Sequence, residues 1–242
     1  MNNIKTATLV IPVFNEEENL PILFKEISKA MDRTIVEWTV LFVDDASTDT
    51  SLEVIKNLAE QDEHVRYLAF AQNCGQSAAF GAGFAAAKSD VIITMDADLQ
   101  NDPADIPAMI QNMQTNDADM VIGWRVNRKD TAVKRVSSRI ANKVRNAMTK
   151  EVGVHDTGCS LKIMRTDMAQ KLPMFTGMHR FLPTLMKMHG AKVEEQPVNH
   201  RHRQHGVSKY GTWDRLKASS YDLIAVRWMQ QRFVQYQIKE KN

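Results

Sequence analysis

Asp96 and Asp98 have the clearest capacity for chemistry in the sequence. They lie in the stretch Ile92 to Pro103, Ile-Ile-Thr-Met-Asp-Ala-Asp-Leu-Gln-Asn-Asp-Pro. An apolar run, Val91 to Met95, ends abruptly at these two carboxylates. Carboxylates this close need a cation or a proton between them. Hard oxygen ligands at the end of a buried strand suit a divalent metal shared with the phosphates of a nucleotide. Gln100 follows two residues later, and Pro103 suits the first turn of a helix. Taken alone, such a pair also reads as a solvated, Asp-rich turn.

The elements around the pair sharpen the reading. Ala7 to Phe14 reads as a buried strand, with Pro12 expected where it leaves the sheet. Leu20, Leu23, Phe24 and Ile27 then recur at helical spacing. Trp38 to Val43 is a second strand, ending in Asp44-Asp45-Ala46-Ser47-Thr48-Asp49. Ser47 or Thr48 is expected to cap a helix carrying Leu52, Ile55 and Leu58. Val65 to Phe70 is a third strand, and Asn73-Cys74-Gly75-Gln76 opens a small-residue helix through Ala87. The fourth strand delivers Asp96 and Asp98. A helix carrying Ile106, Met109, Ile110 and Met113 leads to a fifth strand, Met120 to Ile122. Strand alternates with helix, which predicts an α/β fold with a mostly parallel open sheet flanked by helices. The strand ends then share one edge, so Glu16, Asp45, Asp96 and Asp98 face one cleft.

Gly81-Ala82-Gly83-Phe84-Ala85-Ala86 matches a G-x-G-x-x-A pattern. A dinucleotide fingerprint belongs in the turn after a strand, and these glycines fall inside a helix. Close helix-to-sheet packing is the preferred reading, against that of a nucleotide-dependent dehydrogenase.

Beyond residue 124 the chain turns basic. Arg125, Arg128, Lys134, Arg135, Arg139, Lys143 and Arg145 surround Val133, Val136, Ile140, Val144 and Met148. This is a basic amphipathic helix, either a solvated face over a core stripe or a contact for phosphates or an anionic membrane. A polar turn, His155 to Ser160, precedes the apolar Leu161 to Met164. Phe181, Leu182, Leu185 and Met188 predict a helix ending at Gly190, and Val193 to Val198 a strand. In the loop His200 to Tyr210, Arg201, Arg203 and Lys209 would repel a metal, so phosphate oxygens suit its donors better. A terminal helix carries Leu223, Val226, Met229, Gln230 and Phe233 on one side, with Arg227, Arg232 and Lys239 elsewhere.

With 242 residues, 43% hydrophobic and 25% charged, the chain fits one soluble domain. Its two halves, 1–125 and 126–242, differ in character, the first alternating strand with helix and the second basic. No apolar run approaches the ~18 residues of a membrane span, and the first residues do not read as a signal peptide. Cys74 and Cys159 have no metal-type spacing and fit a reducing cytoplasm. No nucleic-acid partner is expected.

The sequence resembles the family 2 glycosyltransferases of the GT-A fold. Within them it is similar to the dolichyl-phosphate mannose synthase group and its bacterial polyprenyl-phosphate relatives. The likeness runs from about Ala7 to Asp222. It is carried by Val-Ile-Pro-Val-Phe-Asn-Glu-Glu-Glu-Asn, Val-Asp-Asp-Ala-Ser-Thr-Asp, Asn-Cys-Gly-Gln, Met-Asp-Ala-Asp-Leu-Gln, Gly-Trp-Arg, Ser138-Arg139, Asp156-Thr-Gly-Cys-Ser and Arg203-x-x-Gly-x-Ser-Lys-Tyr. The resemblance implies that Pro12, Phe14 and Glu16 hold base and ribose, and that Asp45 accepts from the base N–H. It implies that Asp96, Asp98 and Gln100 bind Mg²⁺ or Mn²⁺ and the diphosphate. It further implies that Arg125, Arg135, Ser138 and Arg139 face the acceptor phosphate, and that Arg203 and Lys209 belong to a flexible loop that closes over the phosphates. Ala46 stands where the motif more often has Gly, which is tolerated unless the turn requires a positive φ.

The implied reaction is an inverting transfer of a sugar from a UDP- or GDP-linked donor. Its expected acceptor is a polyprenyl phosphate at the cytoplasmic membrane face. Many bacterial members continue into a pair of transmembrane helices, which this sequence does not show. Peripheral binding through the basic and terminal helices is therefore expected, or a separate membrane subunit. The alternatives are a hydroxyl acceptor, soluble or on an envelope glycan, and a non-catalytic nucleotide-sugar-binding subunit. A phosphate acceptor needs no base, whereas a hydroxyl would call on Asp156. Asp156 otherwise reads as a turn-stabilising carboxylate.

Overall fold

Near-continuous apolar runs form the central strands, because a strand covered on both faces has no polar side. The structure is a computed structural model and describes residues 3–126, 148–149, 154–202, 212–234 and 240. Its strands are β1 (Thr6–Val13), β2 (Glu37–Asp44), β3 (Val65–Ala69), β4 (Val91–Thr94), β5 (Met120–Arg125), β6 (Lys162–Arg165) and β7 (Val193–Val198). The helices are α1 (Leu20–Met31), α2 (Ser51–Gln61), α3 (Gln76–Ala86), α4 (Ile106–Thr115), α5 (Thr166–Ala169), α6 (Leu182–Met188) and α7 (Thr212–Arg232).

The strands make one sheet in the order β3-β2-β1-β4-β6-β5-β7. Alternation along each strand divides the core into two layers. Leu9, Ile11, Ile93 and Val121 pack on one face with α1, α2 and α4. Val10, Ile92, Met120 and Ile122 pack on the other with α3, α6 and α7. The glycines of the G-x-G-x-x-A stretch lie inside α3, as expected. A Cβ at Gly83 would stand 2.2 Å from Val10 Cγ1, so glycine is what brings the helix onto β1.

The sheet is mostly parallel, with one departure. The short β6 inserts antiparallel between β4 and β5. Lys162 pairs with both Thr94 and Ile122, which brings the turn before β6 to the edge where β4 and β5 end. A second departure concerns helix capping. α2 begins at Ser51, and neither Ser47 nor Thr48 caps it. Glu17 instead accepts from the Thr50 N–H at 2.8 Å, and Asp49 from the Ser51 N–H at 2.9 Å. Ser47 and Thr48 tie strand ends together: the Asn15 N–H donates to Ser47 Oγ at 3.0 Å, and the Thr48 N–H to Asn15 Oδ1 at 2.7 Å.

Candidate functional site

β1 lies between β2 and β4, parallel to both, so their three C-terminal ends meet at one edge. Glu16, Asp45, Asp96 and Asp98 follow those ends directly. Asp45 is buried, and both its oxygens are engaged. Oδ1 accepts from the Cys74 N–H at 2.6 Å and Oδ2 from the Gly75 N–H at 2.8 Å. A carboxylate has about four lone-pair sites, so acceptor capacity remains for a base N–H. Pro12 and Phe14 are half-buried at the same edge. The Glu16 carboxylate accepts from Asn19 Nδ2 at 2.6 Å, and its N–H donates to Ser51 Oγ at 2.8 Å.

Asp98 is buried and accepts from the Gln100 N–H at 3.1 Å. Asp96 is half-buried, and its Oδ1 accepts from Gln76 Nε2 at 2.7 Å. Gln76 belongs to the Asn-Cys-Gly-Gln stretch, whose side chains received no role from the sequence. An amide side chain opening a helix gives no chemical signal until the fold brings it to Asp96. Between the two carboxylates and Gln100, Leu99 takes φ +61°, a left-handed kink that a buried leucine rarely adopts. Two carboxylates and amide oxygens are a hard donor set that fits Mg²⁺ or Mn²⁺, with phosphate oxygens completing the shell. Among the described residues no cluster of three or more His, Cys, Asp or Glu forms a closed metal cage.

Across β4 the turn from Asp156 to Ser160 completes the edge. Thr94 Oγ1 donates to Ser160 O at 2.7 Å, and Ser160 Oγ to Asn101 Oδ1 at 2.6 Å. Asp156 is buried and forms a two-point ion pair with Arg125. Nε lies 2.7 Å from Oδ2 and Nη2 2.9 Å from Oδ1. The arginine expected on the acceptor side and the candidate base are thus partners of each other. Lys162 is buried just behind them and donates to Cys159 O. Burial pushes its ammonium below the usual lysine range, opposed by the nearby carboxylates of Asp96 and Asp156. Its role was not legible in the sequence, where it stands inside an apolar run. Arg135, Ser138, Arg139, Arg203 and Lys209 lie outside the described residues, as does the basic stretch before Met148.

The model of glycosyl transferase family 2 matches residues 8–172. Dodecaprenyl-phosphate galacturonate synthase of Rhizobium johnstonii is 38% identical over 208 residues, 84% of this chain and 61% of that protein. Undecaprenyl-phosphate 4-deoxy-4-formamido-L-arabinose transferase of Aeromonas hydrophila subsp. hydrophila is 37% identical over 230 residues, 93% of this chain and 69% of that protein. The chain thus spans well under the full length of these relatives. Glucosyl-3-phosphoglycerate synthase of Mycobacterium tuberculosis superposes with a TM-score of 0.69 at 17% identity, covering 96% of this chain and 81% of that one. That structure contains Mn²⁺, UDP-glucose and phosphoglyceric acid. At this identity the likeness is one of fold, and it places the sheet among GT-A architectures.

Proposed function

The chain belongs to glycosyl transferase family 2, and on that footing we propose that it transfers a sugar, with inversion, from a nucleoside diphosphate sugar to a polyprenyl phosphate at the cytoplasmic face of a membrane. The acceptor class rests on the two relatives above, both of which act on polyprenyl phosphates by name. The observation that carries the reading here is the position of Asp96 and Asp98. They stand at the strand edge between the Glu16 and Asp45 turns on one side and the Arg125–Asp156 pair on the other.

On this reading the Glu16 and Asp45 side takes the nucleoside of a UDP- or GDP-linked donor. Asp96, Asp98 and Gln100 hold the divalent cation, and Gln76 orients Asp96. Bound there, the cation supplies charge neutralisation for the departing nucleoside diphosphate. A phosphate monoester has a second pKa near ~6, so the acceptor is largely dianionic at pH 7. It needs positioning and no general base. Asp156 then acts by fixing Arg125. An Asp-held guanidinium keeps its planar fork in one orientation beside the site, which suits phosphate recognition. Arg135, Ser138, Arg139, Arg203 and Lys209 are assigned to acceptor and diphosphate contacts on the strength of the motif alone.

A transfer assay tests this. Purified protein is offered UDP- and GDP-sugars with a short-chain polyprenyl phosphate, in Mg²⁺ or Mn²⁺ or with chelator. A lipid-linked sugar is expected only with metal, and Asp98→Asn is expected to lose metal-dependent donor binding. Transfer to a soluble hydroxyl with none to the lipid would overturn the acceptor. Donor binding indifferent to chelator would overturn the metal.

A further inference from the structure

Arg201 follows β7 and bridges three parts of the fold. Its Nη1 lies 2.9 and 2.7 Å from the two carboxylate oxygens of Glu26 on α1. Its Nη2 lies 2.6 Å from Asp102 Oδ1. Its backbone N–H donates to Gln100 O at 2.9 Å. The neighbouring residues run alongside the same turn. His200 forms a β-bridge with Asn101, and Asn199 gives both its N–H and its side-chain amide to Asp105, at 2.7 and 3.0 Å. The segment they hold begins at Leu99, whose left-handed backbone is intrinsically unfavourable and persists only where its surroundings enforce it. Asp102 in turn accepts from the Ala104 N–H at 3.0 Å, so the same carboxylate caps the next turn.

We propose that Arg201 is a positioning residue for the cation and diphosphate turn. It clamps Gln100–Asp102 onto α1 so that Asp98 and Gln100 are presented together. This rests on the metal reading given above. The guanidinium suits the task because one planar group reaches two carboxylates on different elements, which an ammonium on a single point cannot match. Arg201 is therefore placed in the scaffold, despite standing in a basic run that invites a phosphate-binding role.

The test is Mn²⁺ binding in the presence of UDP or GDP, followed by electron paramagnetic resonance, beside thermal unfolding. Arg201→Met is expected to weaken Mn²⁺ about tenfold or more, while the melting temperature changes little. Arg201→Lys is expected to recover part of the loss, and Asp102→Asn to resemble Arg201→Met. An Arg201→Met protein that melts lower yet binds Mn²⁺ as tightly as its parent overturns the proposal and leaves a purely structural ion pair. A parent protein that binds no Mn²⁺ overturns the metal reading itself, and this proposal with it.

Discussion

Ala46 holds φ at +57° in the turn after β2, a region where a Cβ crowds the following carbonyl. The turn is enforced from both sides. The Ser47 N–H donates to Asp44 Oδ2 at 3.2 Å, and Asn73 Nδ2 donates to Asp45 O at 3.0 Å. The conditional reading from sequence is therefore resolved against alanine. The strain is of order 1–2 kcal/mol, part of which glycine would return through the greater freedom of the unfolded chain. Ala46→Gly is expected to stabilise the protein by about 1 kcal/mol, a rise of roughly 2–4 °C in Tm for a chain of this size. Differential scanning calorimetry reads it directly, and an unchanged or lower Tm would show that the neighbouring hydrogen bonds relieve the strain. The same scale shows what residue types do and do not reveal. Asp96 and Asp98 declare themselves by spacing. That Asp45 accepts two backbone amides from a turn about thirty residues away depends on how strands pair, which no local pattern records.

At the scale of elements, β6 is the piece that sequence reading missed. Leu161 to Met164 is too short for periodicity to distinguish a strand from a buried turn, and nothing local says that it runs antiparallel. The consequence bears on the candidate site, because β6 carries the Asp156 to Ser160 turn to the edge where β4 and β5 end. Asp156 and Arg125, with side chains 5% and 14% exposed, join β5 to that turn as a buried ion pair. Removing one partner strands a charge, at a typical cost of 3–5 kcal/mol. Asp156→Ala and Arg125→Ala are each expected to destabilise by several kcal/mol, and the double variant by less than the sum. Urea unfolding of the three proteins measures the coupling. Full stability in both single variants would show that the pair contributes little to the fold. By contrast β1, β2, β4 and helices α1 and α4 were legible, since their apolar periodicity coincides with the core each one meets.

For the molecule as a whole, α7 bears on how a protein with the proposed lipid acceptor would reach it. No helix among the described residues is long and apolar enough to cross a membrane. One side of α7 is committed to the core through Leu223 and Val226, and Gln230 Nε2 donates to Thr149 O at 2.9 Å. Asp222 seats the helix beside the turn at Gly177, where any Cβ would stand 2.5 Å from its Oδ2. The opposite side displays Tyr221, Ile224 and Trp228, which are 79%, 62% and 61% exposed and fall at i, i+3 and i+7. Aromatic rings mixed with an aliphatic residue are suited to the headgroup boundary. Arg227 and Arg232 on the same helix match an anionic surface, at roughly 1 kcal/mol each when well placed. The expected occupant of this stripe is therefore an anionic bilayer. Replacing Tyr221, Ile224 and Trp228 together with Ser is expected to abolish co-sedimentation with vesicles containing phosphatidylglycerol. Transfer to a short-chain, water-soluble polyprenyl phosphate is expected to persist, because the three are exposed on α7 and form no part of the proposed site. Arg227→Glu with Arg232→Glu is expected to weaken vesicle binding most at low salt, where charge attraction is least screened. A fall in molecular mass of the triple-Ser protein by analytical ultracentrifugation, with vesicle binding unchanged, would assign the stripe to a second copy of the chain instead.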